Sequence, residues 1–156
     1  MKAIICCEKH GGIGFEGSMP WPNQTEDLQR FKELTLNKTI VMGRGTWEAD
    51  GMPKPLPDRQ NIVVTSKDIL LPEEVIRLDE VNYKTLVEDL KVDWCIGGAG
   101  LFNSLLDMID EIHLSHLSKE YECDKHIDLE RIKKDFTCEH SELCMTHTYE
   151  IWKRNK

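Results

Sequence analysis

The alternation of two kinds of segment constrains this chain more than any other feature. Short apolar runs recur at residues 2–7, 39–42, 61–65, 75–78, 93–96 and 111–118. Stretches with helical spacing lie between them, at residues 26–36, in a short turn after Gly43, at 83–90 and at 98–107. The runs are short and largely uninterrupted in their apolar character, as strands covered on both faces require. Strands alternating with helices predict a mostly parallel sheet with helices on both sides. Two last stretches, 136–143 and 145–153, have polar alternation and no helix between them, so they predict an antiparallel edge. Ligands of such sheets bind at the carboxyl ends of the strands, and the chemistry is expected there.

No repeat, low-complexity tract or linker interrupts the pattern, and 156 residues suffice for one domain with its own core. The chain carries 20 Lys and Arg against 28 Asp and Glu, a net charge of −8. A polyanion or an anionic membrane would meet repulsion, and no basic stripe is present to override it. The first apolar run ends at Glu8-Lys9-His10, too short for a signal-peptide core or a membrane span, so a cytoplasmic protein is expected. The six cysteines include no Cys-x-x-Cys pair, and Cys6 and Cys7 on a strand would face opposite sides. They read as buried or half-buried free thiols. His113 and His116 likewise diverge, and no metal site is expected.

Two strands run directly into glycine and then helix, at Met42-Gly43-Arg44-Gly45-Thr46-Trp47 and at Ile96-Gly97-Gly98-Ala99-Gly100-Leu101-Phe102. Such turns let a ligand approach the backbone and leave the first N–H groups of the helix free for an anion. Neither matches Gly-x-Gly-x-x-Gly, and tight-turn geometry explains each alone; together they could hold the two ends of a dinucleotide. A third feature is Asp27. Leu28, Phe31 and Leu34 form the apolar stripe of a helix, and Phe31 and Leu34 are the i+4 and i+7 neighbours of Asp27. A carboxylate facing apolar surroundings costs free energy unless it is paired or used. The competing reading is a first-turn acid favoured by the helix dipole. The segment Met19-Pro20-Trp21-Pro22 before it reads as an ordered loop closing over whatever Asp27 faces.

These residues resemble one family, the chromosomal, single-domain dihydrofolate reductases. The resemblance rests on Ile13-Gly14, Met19-Pro20-Trp21, Asp27-Leu28-x-x-Phe31-Lys32, Thr35-Leu36-Asn37-Lys38, Met42-Gly43-Arg44-x-Thr46-Trp47-Glu48, Leu56-Pro57-x-Arg59-x-Asn61-Ile62, Ile96-Gly97-Gly98 and Leu114-Ser115-His116. It implies a twisted, mostly parallel eight-stranded sheet flanked by four helices, with NADPH-dependent reduction of 7,8-dihydrofolate to tetrahydrofolate as the reaction. It further implies antifolate inhibitors as ligands, no nucleic-acid or membrane partner, and a monomer.

By the same resemblance, Asp27 hydrogen-bonds the pterin and Ser115 supports it, while the Trp21 loop admits the water that protonates the ring. Ile4 and Ile96 meet the pterin, Leu28, Phe31 and Leu56 pack the rings, Arg59 clamps the glutamate tail in a bidentate pair, and Ile5 and Lys32 are further substrate-binding residues. Cys6, Ile13, Gly14 and Met19 are implied at the nicotinamide, and Arg44, Thr65 and Ser66 at the 2′-phosphate. Gly43, Gly45, Thr46, Gly97, Gly98, Ala99, Gly100, Leu101 and Phe102 complete the cofactor site. Gly100 stands where many relatives carry arginine, Phe102 replaces a frequent tyrosine, Asp50 replaces an apolar residue, and the loop through Met52-Pro53-Lys54-Pro55 is lengthened. Two other readings remain: a reductase of the same fold acting on another pterin-like or ribosylamino-pyrimidine substrate, and a non-catalytic folate- or nucleotide-binding module. Substrate screening separates the first, and ligand titration without turnover the second.

Overall fold

A computed structural model of the chain describes residues 1–22 and 24–156. Its strands are β1 (Lys2–Cys7), β2 (Gly12–Gly14), β3 (Thr39–Gly43), β4 (Gln60–Val64), β5 (Ile76–Leu78), β6 (Trp94–Cys95), β7 (Glu111–Leu117), β8 (Lys125–His126), β9 (Phe136–Leu143) and β10 (His147–Arg154). Its α-helices are α1 (Thr25–Thr35), α2 (Arg44–Glu48), α3 (Ala99–Leu105) and α4 (Leu129–Asp135). Eight strands form one sheet in the order β5-β4-β3-β6-β1-β7-β10-β9, and β2 and β8 form a separate pair. Pairing is parallel from β5 through β7, and antiparallel where β10 joins β7 and β9. The α/β architecture and its antiparallel C-terminal edge are those predicted by the sequence.

Alternation of side chains along the strands splits the core in two. Ala3, Ile5 and Cys7 of β1 face one layer with Ile112 and Leu114 of β7, covered by Phe102 and Leu105 of α3 and Ile132 of α4. Ile4 faces the other layer with Ile40, Met42 and Trp94, covered by Phe31 and Leu34 of α1 and Trp47 of α2. Both faces are therefore dry, which is why the strands read as continuous apolar runs. The chain leaves β1 for β3, β4 and β5 on one side, returns through β6, and crosses to β7 on the other. The order reverses around β1 and β6, so the carboxyl ends of β1, β3, β6 and β7 surround a topological switch point.

Three local features differ from the sequence reading. Residues 83–90, read as a helix, form a π-helical segment, Lys84–Asp89. The helix expected through residue 107 ends at Leu105 and tightens into a 3-10 turn, Leu106–Met108. Helix α4 and the β2–β8 pair have no counterpart among the expected elements.

Candidate active site

Helix α1 begins with Glu26 and Asp27 in its first turn, a placement that suits the positive end of the helix dipole. The two carboxylates diverge. Glu26 is exposed and accepts from the backbone N–H of Met145 at 3.3 Å. Asp27 is half-buried and accepts a hydrogen bond from the hydroxyl of Ser115 on β7. Ser115 is Cα-paired with Cys6 of β1, so both stand on the α1 side of the sheet. Burial, then the Asp27 charge, then Cys7 push the Cys6 thiol far above its ordinary value, so it stays protonated. Asp27, Met19, Trp21, Pro22, Gln24 and Leu28 line a narrow cleft. Trp21 is buried in it, whereas Met19 (55% exposed) and Leu28 (46% exposed) stand at its mouth. A large apolar side chain left in water beside a cleft is a surface that a flat apolar ligand can cover.

The far end of α1 carries the second charge. Arg59 donates from Nε to the Thr35 hydroxyl (2.9 Å), from Nη2 to the Lys32 carbonyl (3.1 Å) and from Nη1 to the Pro57 carbonyl. Thr35 is buried and its own hydroxyl donates to the Phe31 carbonyl at 2.7 Å. The guanidinium is thus fixed by neutral acceptors, and one N–H on each terminal nitrogen remains for a ligand. Lys32 is exposed nearby, and Leu56 and Phe31 pack in the layer beneath.

Across the switch point the two glycine turns meet. The Gly43 N–H donates to the Gly97 carbonyl at 2.9 Å. A Cβ on Gly98 would lie 3.5 Å from the Thr46 hydroxyl, and one on Gly97 3.7 Å from it. Gly97 has φ of +106°, a conformation that glycine adopts without cost, and the Gly97–Gly98 peptide is cis. Gly43 and Gly98 cap α2 and α3 in extended conformation without a side-chain cap, leaving first-turn N–H groups available. Arg44 begins α2 and pairs with Glu48 one turn on, at 2.6 Å on the surface. Thr65 is buried and its hydroxyl accepts from the Lys67 N–H at 3.0 Å, while Ser66 is exposed beside it.

Several expected site residues turn their side chains toward the layer opposite Asp27. Phe102 has no exposed surface and belongs to the layer opposite Asp27, so none of it is open to a ligand. Ile5 faces that same layer, and Ile13 and Leu101 pack against it. Asp50 is exposed. Residues outside the expected set also border the site. Arg30, one turn beyond Asp27, places its guanidinium 3.8 Å from the centre of the Tyr149 ring, and Tyr149 pairs with Ser115. His113, two residues before Ser115, joins Tyr149 to Glu111, its Nε2 2.7 Å from the Glu111 carboxylate. The ring of Tyr121 meets Trp21 edge-on, centroids 5.8 Å apart. The spacing of Arg30 from Asp27 is a sequence signal; the partners of Tyr121 and Tyr149 come from distant elements and are not.

Paired glycine turns on one side of a central strand and a carboxylate-floored cleft on the other define a class of protein, an α/β binder of an anionic nucleotide beside a second small ligand. Comparison with known proteins makes that class specific. The family model for dihydrofolate reductase matches residues 1–151. The type 8 dihydrofolate reductase of Escherichia coli is 31% identical over all of this chain and 96% of its own length. The dihydrofolate reductase of Buchnera aphidicola is 36% identical over 75% of this chain and 71% of its own. Among solved structures, the Enterococcus faecalis dihydrofolate reductase, complexed with NADP(H) and RAB-propyl, superposes with a TM-score of 0.80 at 28% identity. It covers 99% of this chain and 96% of that one. The chain belongs to the dihydrofolate reductase family, a family of NADP-dependent oxidoreductases.

Proposed function

We propose that the protein reduces 7,8-dihydrofolate to 5,6,7,8-tetrahydrofolate with NADPH, and so supplies one-carbon metabolism and thymidylate synthesis. The observation that carries this reading is the pair of charges at opposite ends of α1. Thr35, which holds Arg59, is eight positions on from Asp27, a span of about 12 Å along a helix axis. Asp27 offers acceptors to a fork of N–H donors at one end, and Arg59 offers two donors to a carboxylate at the other. An elongated ligand with an amino-pterin head, an aromatic body and a glutamate tail answers both, with Leu28 and Phe31 against its rings.

Asp27 orients the ring through the pterin N3–H and 2-amino groups, and its charge favours the protonated imine that accepts hydride. Because Asp27 binds the edge of the ring away from N5, the N5 proton comes from water admitted beneath Met19 and Trp21. Ser115 holds the Asp27 carboxylate in place, and the backbone carbonyls of Ile4 and Ile96 meet the 4-position of the ring or of an inhibitor. The glycine turns suit a dinucleotide, since a Cβ at Gly98 would already come into contact with the Thr46 hydroxyl across their facing seam. Gly43 to Thr46 and Gly97 to Leu101 lie along its pyrophosphate, Arg44, Thr65 and Ser66 at its 2′-phosphate, and Cys6, Ile13, Gly14 and Met19 beside its nicotinamide. NADPH, when bound, supplies the hydride, and the chain contributes orientation and exclusion of water.

The test is NADPH oxidation that requires dihydrofolate and is blocked by a 2,4-diaminopyrimidine. Asp27→Asn is expected to lower the hydride-transfer rate near neutral pH by at least about a hundredfold. Glu26→Gln, which alters an exposed carboxylate, leaves it within about twofold. Absence of turnover in the purified protein, or equal losses in the two variants, overturns the reading.

A further inference from the structure

Among the described residues, one buried carboxylate has no part in the proposed reaction. Glu8 follows β1 directly and is 1% exposed. Its Oε1 accepts from the backbone N–H groups of His10 and Gly12, each at 2.8 Å, and its Oε2 from that of Tyr121 at 3.4 Å. The adjacent basic side chains turn away from it: Lys9 and His10 stand instead against the exposed Glu120, at 3.7 and 3.1 Å. A buried carboxylate without a counter-ion persists only where N–H donors surround it, so the two loops that provide them are tied to its position. The first loop, residues 8–12, is the root of the segment that runs on to Met19 and Trp21. The second brings Tyr121, whose ring lies edge-on against Trp21. Between the loops, a Cβ on Gly12 would stand 3.0 Å from Glu8 Oε1 and overlap the Cys123 side chain, so the backbone itself fills the gap. Beyond them, the Asp124 N–H donates to the Gly14 carbonyl at 2.8 Å and the Asp124 carboxylate accepts from the Glu16 N–H at 3.0 Å.

We infer that Glu8 is a positioning residue for the active-site cleft: through the Tyr121 N–H it fixes the Tyr121 ring, and through that ring it holds Trp21 over Asp27. The inference rests on the dihydrofolate reductase reading for its kinetic consequence, but not for its structural one. Glu8→Gln isolates the link. The amide oxygen still accepts from His10 and Gly12, while the amide NH2 faces the Tyr121 N–H, donor against donor. Tyr121→Leu removes the ring and keeps the N–H.

Protein labelled with 5-fluorotryptophan reports the position of Trp21 without turnover, its resonance being assigned with Trp21→Phe. In Glu8→Gln the Trp21 resonance is expected to shift, and those of Trp47, Trp94 and Trp152 to stay. Hydride transfer is expected to fall about tenfold in either single variant. The double variant is no slower than the slower single one, since both changes break one path. An unmoved Trp21 resonance in Glu8→Gln overturns the inference, whether or not the wild type reduces dihydrofolate. Multiplying losses in the double variant, or a drop in Tm with unchanged hydride transfer, also overturn it. If Glu8→Gln does not fold, Tyr121→Leu carries the test alone, and a full hydride-transfer rate in it is the contrary result.

Discussion

At the scale of single residues, the site depends on which acceptors and donors remain free once the fold has used the others. One oxygen of Asp27 is occupied by the Ser115 hydroxyl, so the carboxylate faces the cleft in one orientation. Ser115→Ala removes a hydrogen bond to a charged group, a change of about 1.5–3 kcal/mol. We expect kcat/KM for dihydrofolate to fall roughly tenfold or more, and Ser115→Thr, which keeps the hydroxyl, to restore most of it; steady-state rates of the two variants decide this. Asp27 was legible in the sequence because Phe31 and Leu34 recur at helical spacing from it, and that periodicity sets its face whatever the helix packs on. Glu8 was not legible: its burial comes from Tyr121, 113 residues away in sequence, and nothing in the run Cys6-Cys7-Glu8-Lys9 separates it from the exposed Lys9.

At the scale of elements, legibility followed the number of apolar positions each one presents. Strands β1, β3, β4 and β7 bury both faces, so their runs stood out. Helix α4 turns few apolar positions inward, Leu129 and Ile132, among Glu130, Arg131, Lys133, Lys134 and Asp135. Too few apolar positions make no period, and its start is marked by a cap: the Asp128 carboxylate accepts from the Arg131 N–H at 3.1 Å. The pair β2–β8 is shorter still, and its close approach requires glycine at 12. Gly12→Ala forces a methyl into the Cys123 side chain, an overpacking that typically costs about 1–3 kcal/mol. In a chain of this size that lowers Tm by roughly 2–12 °C, measurable by calorimetry. Gly45 in α2 and Gly100 in α3 are the contrast, because a Cβ at either meets no atom within 4 Å. Alanine at Gly100 is therefore expected to stabilise the ligand-free protein by about 0.5–1 kcal/mol, and a lowered Tm in that variant contradicts the assignment of open space around it.

At the scale of the molecule, a net charge of −8 has to be locally reversed wherever an anionic ligand binds. The two arginines expected to do so differ: Arg59 is held by neutral acceptors, whereas Arg44 already shares its charge with Glu48. Elsewhere the molecule couples its charge to pH at the other flank of β1. His116, near the end of β7, donates from Nε2 to the Lys9 carbonyl at 3.0 Å, and its Nδ1 stands 3.8 Å from the Glu150 carboxylate of β10. With acceptors at both ring nitrogens, chiefly Glu150, its affinity for a proton rises above the ordinary value of 6.5, against burial and the Lys133 charge. Burial pushes Glu150 up, but hydrogen bonds from His116 and Trp152 outweigh it and carry the carboxyl below the ordinary 4.5. A raised His contributes stability that is complete below 6.5 and lost as pH rises through its folded value; a lowered Glu contributes stability that is complete above 4.5 and lost as pH falls through its own. Both contributions are therefore full between about pH 4.5 and 6.5, and the pair weakens on either side. We expect Glu150→Gln to lower stability within that window by on the order of 1 kcal/mol and to flatten the decline that wild type shows as pH rises above it. Calorimetric Tm values for both proteins across this range provide the measurement, and parallel curves with a constant offset would mean that Glu150 acts through packing and not through its charge.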